Sequence, residues 1–389
     1  MNIKELDKKY VASTYGRFDI EIVKGKGSLV YDENGKEYID LTSGIGVNIF
    51  GVCDDKICEA IENQAKTLTH ISNLFYTKPC VELAQMLCEK TGMSKVFFSN
   101  SGAEANECAI KIARKYAQSK KGEEYFNIIT LENSFHGRTL TTLAATGQES
   151  FHTLYTPLTD GFVSTKANDL DAFIKLAEST KCAGIMLETV QGEGGVNVLD
   201  FDFVKGVEKY AKENDIILII DEVQTGNGRT GKLYSYMNYG ITPDVVSTAK
   251  GLAGGLPLGA TLMSQKVKDV FNFGDHGSTF GGNPICCASA LSVLSRIDDN
   301  LLQDVNKKSE YIFSELENAE GVESISGKGL MLGIKAKQDA KRTIKRLQEK
   351  GVLCLSAKDK VRLLPPLNIE FSLLQKAVEI IKETLKEEL

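Results

Sequence analysis

No run of apolar residues in this 389-residue chain approaches the ~20 needed to cross a bilayer, the longest being IILII at 216–220. No membrane segment is expected. The four histidines (His70, His136, His152 and His276) lie far apart, without ligand spacing to one another or to cysteine, so no metal site is expected. The nine cysteines are odd in number and contain no Cys-x-x-Cys pair, and the start MNIKELDKKY is charged where a secretory signal needs an apolar stretch. A reducing cytoplasm is the expected compartment. Positive charge is not in excess: 46 basic against 52 acidic residues leave a net charge of -6, which excludes the electrostatic footprint of a nucleic-acid binder. Internal repeats, proline-rich linkers and low-complexity tracts are also missing.

What is present is an average globular composition, 42% hydrophobic and 25% charged, over a length that suits two domains. From 94 to 264, strand-like runs (KVFFSN, FNIITLE, AGIMLE, IILIID, DVVSTAK) alternate with longer amphipathic stretches. That alternation predicts an α/β fold with a mostly parallel sheet and helices on both faces. The ends of the chain differ, with glycine-rich turns before residue 50 and a charged, helix-forming tract after 290, and predict a smaller α+β unit built from both. The expected division is 1–54 (small domain), 55–289 (large domain) and 290–389 (small domain again).

Ligands of such sheets bind where the carboxyl ends of strands meet loops. Ser101-Gly102-Ala103-Glu104 follows KVFFSN at capping-box spacing, so a helix starts there, and its small residues leave the first-turn N–H groups open for a phosphate. An ordinary capped helix has the same signature. The buried run 216–221 ends in Asp221, a carboxylate placed to meet a cation. The next segment, Gly226 to Gly231, matches G-x-G-x-x-G, with Asp244 about 20 residues on. A dinucleotide fingerprint must sit in the strand-to-helix turn itself, and here five residues separate strand from glycine, so a plain glycine-rich loop is the better reading. Lys250 closes the strand-like DVVSTAK in an apolar, glycine-flanked setting that favours the neutral amine required for Schiff-base chemistry. A lone lysine is usually a solvated charge. The set of three, on successive elements of one sheet, is what pyridoxal phosphate needs.

The segments HISNL (70–74), FFSNSGAEANE (97–107), SFHGRT (134–139), ETVQGEGG (188–195), DEVQTGNGRTGK (221–232), AKGLAGGLPLGA (249–260), HGSTFGGNP (276–284) and VRLLPPL (361–367) together resemble the class III aminotransferases of the fold type I pyridoxal-phosphate enzymes. The resemblance covers essentially the whole chain. It implies that Lys250 is the lysine that links to the cofactor and shuttles the proton, and that Asp221 keeps the pyridine nitrogen protonated. It gives Gln224 to the cofactor's 3-hydroxyl, Phe135 to the ring face, and Ser101, Gly102 and Ala103 to the phosphate. Thr279 is implied to reach the phosphate of a neighbouring subunit, which makes the active protein a homodimer with shared sites. Arg138 and Arg362 match two carboxylate-binding arginines, Glu193 matches the glutamate that pairs with Arg362, and Ser278 falls among the substrate contacts. The implied substrates are amino acids and 2-oxo acids. Two departures from the family pattern, Val52-Cys53 and Thr189, are expected near the substrate entrance. The competing class, a binding protein that kept the fold, would take up no cofactor.

Overall fold

A computed structural model describes residues 2–387. Its centre is a seven-stranded sheet of β1 (Lys95–Ser99), β2 (Asn127–Leu131), β3 (Phe162–Thr165), β4 (Cys182–Leu187), β5 (Ile217–Asp221), β6 (Val245–Thr248) and β7 (Gly259–Met263), in the order β1-β7-β6-β5-β4-β2-β3. The run from β6 to β3 is parallel throughout. Only β7 runs against both its neighbours, β6 and β1. The α/β class with a parallel core therefore holds. Neither β3 nor β7 stands out in the sequence: FVST is short, and GATLM continues a run of glycines and small residues.

Both faces of the sheet are covered, and β5 shows how. Ile217 and Ile219 enter one apolar cluster with the helix α1 (Gly102–Lys121), whereas Leu218 and Ile220 enter another on the opposite face with Phe203, Val204 and Val207. Each such side chain contributes ~1.5–3 kcal/mol on burial, which is why the strand is apolar without alternation. Helix α1 lies close to the sheet because Ala105, Ala109, Ala113 and Ala117 recur every fourth residue on its buried face. Gly184 of β4 completes the fit, since a Cβ there would stand 2.9 Å from that of Ala113.

The two ends of the chain meet in one sheet: Val352–Leu353 pairs in parallel with Glu37–Asp40, register Val352 to Ile39. A second, antiparallel sheet joins Val322–Lys328, Met331–Ala336, Lys360–Leu363 and Leu355–Ala357 in that order. This sheet carries Arg362 toward the carboxyl ends of β4 and β5. Among the described residues no helix is long and apolar enough to cross a membrane.

Candidate active site

The carboxyl ends of β1, β5 and β6 open onto a cavity of about 640 Å³ whose walls include Ser101, Gly102, Ala103, Phe135, Arg138, Asp221, Gln224 and Lys250. These residues come from four separate sequence segments. Asp221, the last residue of β5, is buried, and its carboxylate is held from three sides. Asn106 of α1 donates to Oδ2 at 2.8 Å, the Val223 N–H donates to Oδ1 at 3.0 Å, and His136 Nδ1 lies 2.8 Å from Oδ2. Because a carboxylate only accepts, the histidine carries its proton on Nδ1 and donates. Burial by itself would lower the His136 pKa, but the hydrogen bond and charge of Asp221 raise it above its usual value. Neither His136 nor Asn106 stood out as a site residue in the sequence. Both lie inside segments that carried the family resemblance, and that was the available signal.

Glu188 also lines the cavity and accepts the Phe135 N–H at 2.9 Å, so it holds the ring-bearing backbone. Burial pushes its carboxyl up to about 7, the charge of His136 opposing and that of Asp221 adding. Lys250 directly follows Ala249 at the end of β6 with φ +42°, a left-handed conformation that costs a non-glycine residue ~1–3 kcal/mol and that gathers at functional sites. Burial lowers its amine pKa, the charge of Glu193 opposes this, and Arg362 lowers it further. The shift runs toward the neutral amine.

At the other end of the cavity, Ser101 caps α1 by accepting the Glu104 N–H at 3.2 Å. The expected capping box is altered: the Glu104 carboxylate takes the Asn100 N–H at 2.9 Å and the Ser101 hydroxyl at 3.0 Å, not the Ser101 N–H. This leaves the first-turn N–H groups of Gly102 and Ala103 for a ligand. Gly102 must be glycine, since a Cβ would sit 2.6 Å from Val223 Cγ1. Ser278 does not line the cavity of its own chain: its hydroxyl accepts from Asn100 Nδ2 at 3.0 Å and from the Gly281 N–H at 3.1 Å. It braces the loop. Its neighbour Thr279 is exposed and does not line the cavity of its own chain.

The inner guanidinium, Arg362, is buried, and its Nη1 donates to Glu193 Oε1 at 2.6 Å and to Gln224 Oε1 at 3.0 Å. Gln224 Nε2 closes the triangle on Glu193 at 3.3 Å. Burial works against the charged form of Glu193, but Arg362 prevails and holds its pKa below the usual carboxylate value. Arg138 stands at the mouth, exposed, with its guanidinium 4.5 Å from the Phe151 ring centre and 5.6 Å from that of Phe135. Thr189 is buried and bonded to the Ser235 hydroxyl and does not itself line the cavity, whereas its neighbour Glu188 does. The glycine-rich loop 226–231 is followed by the short 3-10 helix Ser235–Tyr239 and opens no α-helix.

The family model for class III aminotransferases matches residues 10–385. The chain belongs to the class III aminotransferases. As an aminotransferase it is 48% identical over 388 residues to the acetylornithine aminotransferase of Haemophilus ducreyi, covering 99% of this chain and 98% of the relative. It is 43% identical to that of Methanocaldococcus jannaschii, covering 98% of each. Among solved structures, the ornithine aminotransferase of Toxoplasma gondii, with partial occupancy of pyridoxal phosphate at its active site, superposes with TM-score 0.94 at 30% identity over 99% of this chain and 94% of that one. The acetylornithine aminotransferase of Elizabethkingia anophelis superposes with TM-score 0.88 at 33% identity over 99% and 98%. The residues present fit pyridoxal phosphate. Gly102 and Ala103 at the helix N-terminus line the cavity, and a buried carboxylate and a lysine of lowered pKa face the same cavity.

Proposed function

We propose that this aminotransferase transfers the terminal amino group of N2-acetylornithine to 2-oxoglutarate, giving N-acetylglutamate 5-semialdehyde and glutamate, a step of arginine biosynthesis in the cytoplasm. Pyridoxal phosphate, when bound, supplies an electron-withdrawing ring that accepts the electron pair of the broken C–H bond. Lys250 would hold it covalently, Asp221 at the ring nitrogen, Gln224 at the 3-hydroxyl, Phe135 on one ring face, and Ser101, Gly102 and Ala103 at the phosphate. The lowered Lys250 pKa suits an amine that condenses in its neutral form and then takes and returns a proton. Asn106 and His136 keep Asp221 oriented.

The observation that carries the substrate reading is the Arg362–Glu193 pair with Arg138 standing at the mouth. Acetylornithine presents its terminal amine with its distant carboxylate on Arg138, so Arg362 has no substrate partner and Glu193 neutralises it. Glutamate brings its α-carboxylate to Arg362, its γ-carboxylate to Arg138, and displaces Glu193. Thr279 would reach the phosphate of a second copy of this chain, and the exposed Leu74, Tyr76, Phe273 and Phe280 on the neighbouring segments support a homodimer. Breaking a buried charge pair typically costs ~2–5 kcal/mol. Glu193→Ala is therefore expected to impair the acetylornithine half-reaction and leave glutamate equal or better, Arg362→Ala to harm chiefly glutamate, and Arg138→Ala to harm both. Half-reaction kcat/KM values for the two donors check this, and equal losses on both in Glu193→Ala would sink the switch. Ornithine, succinylornithine, 4-aminobutyrate and succinyldiaminopimelate are the alternative donors, and the same assay ranks them.

A further inference from the structure

Arg229 is the largest fully buried side chain among the described residues, and it lies outside the cavity. It stands on the glycine-rich loop 226–231, eight residues after Asp221 and five after Gln224. Its Nη1 donates to two carbonyls of the smaller unit, Leu330 O at 3.0 Å and Pro365 O, while Leu330 N–H donates back to the Arg229 carbonyl at 2.9 Å. Its Nε and Nη2 find no acceptor among the described residues. Burial lowers its pKa to about 9, with only the charge of Asp40 opposing. A buried guanidinium with idle donors is a poor device for stability, since apolar replacements of such groups are often neutral or stabilising. Its two acceptors point to another use. Leu330 precedes the strand Met331–Ala336 and Pro365 follows the strand Lys360–Leu363, and these strands are paired antiparallel with Leu332 opposite Leu363 and Gly333 opposite Arg362. Arg229 thus clamps the two strands at one end, three residues from Arg362.

We propose that Arg229 is a positioning residue for Arg362: by holding the Leu330 and Pro365 carbonyls, it fixes the strand end that presents the inner guanidinium to the α-carboxylate of glutamate and 2-oxoglutarate. The same loop segment then holds Arg362 twice, through Gln224 at the guanidinium and through Arg229 at the backbone. The inference rests on the proposed reading that Arg362 takes that carboxylate. The other anchors of the segment, Leu364 N–H to Leu41 O at 2.7 Å and the Ser43 hydroxyl to Leu364 O at 2.6 Å, fix it to the N-terminal part of the chain. Among the described residues, Arg229 gives the hydrogen bond that ties its backbone to the loop after Gln224.

The test uses the cofactor-loaded enzyme with Arg229→Met, which removes the donors, and Arg229→Lys, which keeps one charged donor, with Arg362→Ala in parallel. Arg229→Met is expected to raise KM for glutamate and 2-oxoglutarate at least about fivefold, with kcat and KM for acetylornithine within about twofold and the visible cofactor absorbance unchanged. Arg229→Lys is expected to fall between it and the parent, and to carry the same KM split should the methionine variant not fold. Losses equal on both donors, or loss of cofactor, in the variant that folds would mean that Arg229 serves stability alone and would overturn the inference. If Arg362→Ala spares glutamate, the reading of Arg362 fails and this inference with it. If Arg362→Ala behaves as expected while neither Arg229 variant alters the glutamate KM, only the role given to Arg229 is lost.

Discussion

Lys250 combines three properties that each cost stability: a left-handed backbone, burial, and a neighbourhood of opposed charges. Among the residues that line the cavity, only its amine can both condense with a carbonyl and carry a proton. Lys250→Ala is expected to fold, because among the described residues no hydrogen bond of the core depends on the amine, and to lose transamination by roughly a thousandfold or more. Turnover near that of the parent, measured in either half-reaction, would end the assignment. Glu188 gives a second prediction at this scale. Its folded-state pKa of about 7 lies above the ordinary 4.5, so the folded chain binds the proton more tightly than the unfolded one. The resulting stability is fully present below the ordinary value and is lost as pH rises through about 7. In the cofactor-free protein, Glu188→Gln should therefore show a smaller fall of Tm than the parent between about pH 5 and about pH 8. Calorimetry across that range checks it, and parallel Tm curves would count against a carboxyl that protonates in the fold. His136 and Lys250 respond in the same sense, since losing the Glu188 carboxylate lowers both of their pKa values and so also lessens the fall.

At the scale of elements, the helix α1 does two jobs with one sequence pattern. Its alanine ridge lets it lie close on the sheet, and its capped N-terminus aims two spare N–H groups into the cavity. Gly102→Ala is expected to preserve helicity while pushing α1 away from Val223, a stiff β-branched neighbour. Overpacking of this kind costs ~1–3 kcal/mol, so cofactor affinity should fall about tenfold. Equilibrium dialysis measures it, and Gly102→Ala with Val223→Ala should restore much of the loss; failure to restore would place the fault elsewhere. The helix start was legible in the sequence because a cap is a local signal. The antiparallel strand β7 was not, because Gly259 is set by close approach: a Cβ there would stand 2.3 Å from the Ser101 carbonyl oxygen.

At the scale of the whole molecule, the single chain leaves Thr279 exposed, away from the cavity of its own subunit, with bulky apolar side chains nearby. Thr279→Ala is expected to weaken cofactor retention without unfolding. Mixed with Lys250→Ala under subunit exchange, it should give hybrid dimers with one site carrying both lesions and the other neither, and part of the activity should return. No recovery in an exchanged mixture would place the phosphate contact within one chain. Sequence by itself determined the local parts: the buried strands by their unbroken apolar runs, the cap at Ser101, the strand-end Asp221 and Lys250, and, through matched segments, the family. What it left open was which parts meet. Asp221 and His136 are 85 residues apart and Glu193 and Arg362 are 169 apart, and each pair closes only because strands distant in sequence lie side by side and both chain ends fold back together. Apolar periodicity reports which face of a strand is buried, not which strand lies beside it, so the support that His136, Asn106 and Arg229 give to the site was decided by the tertiary structure alone.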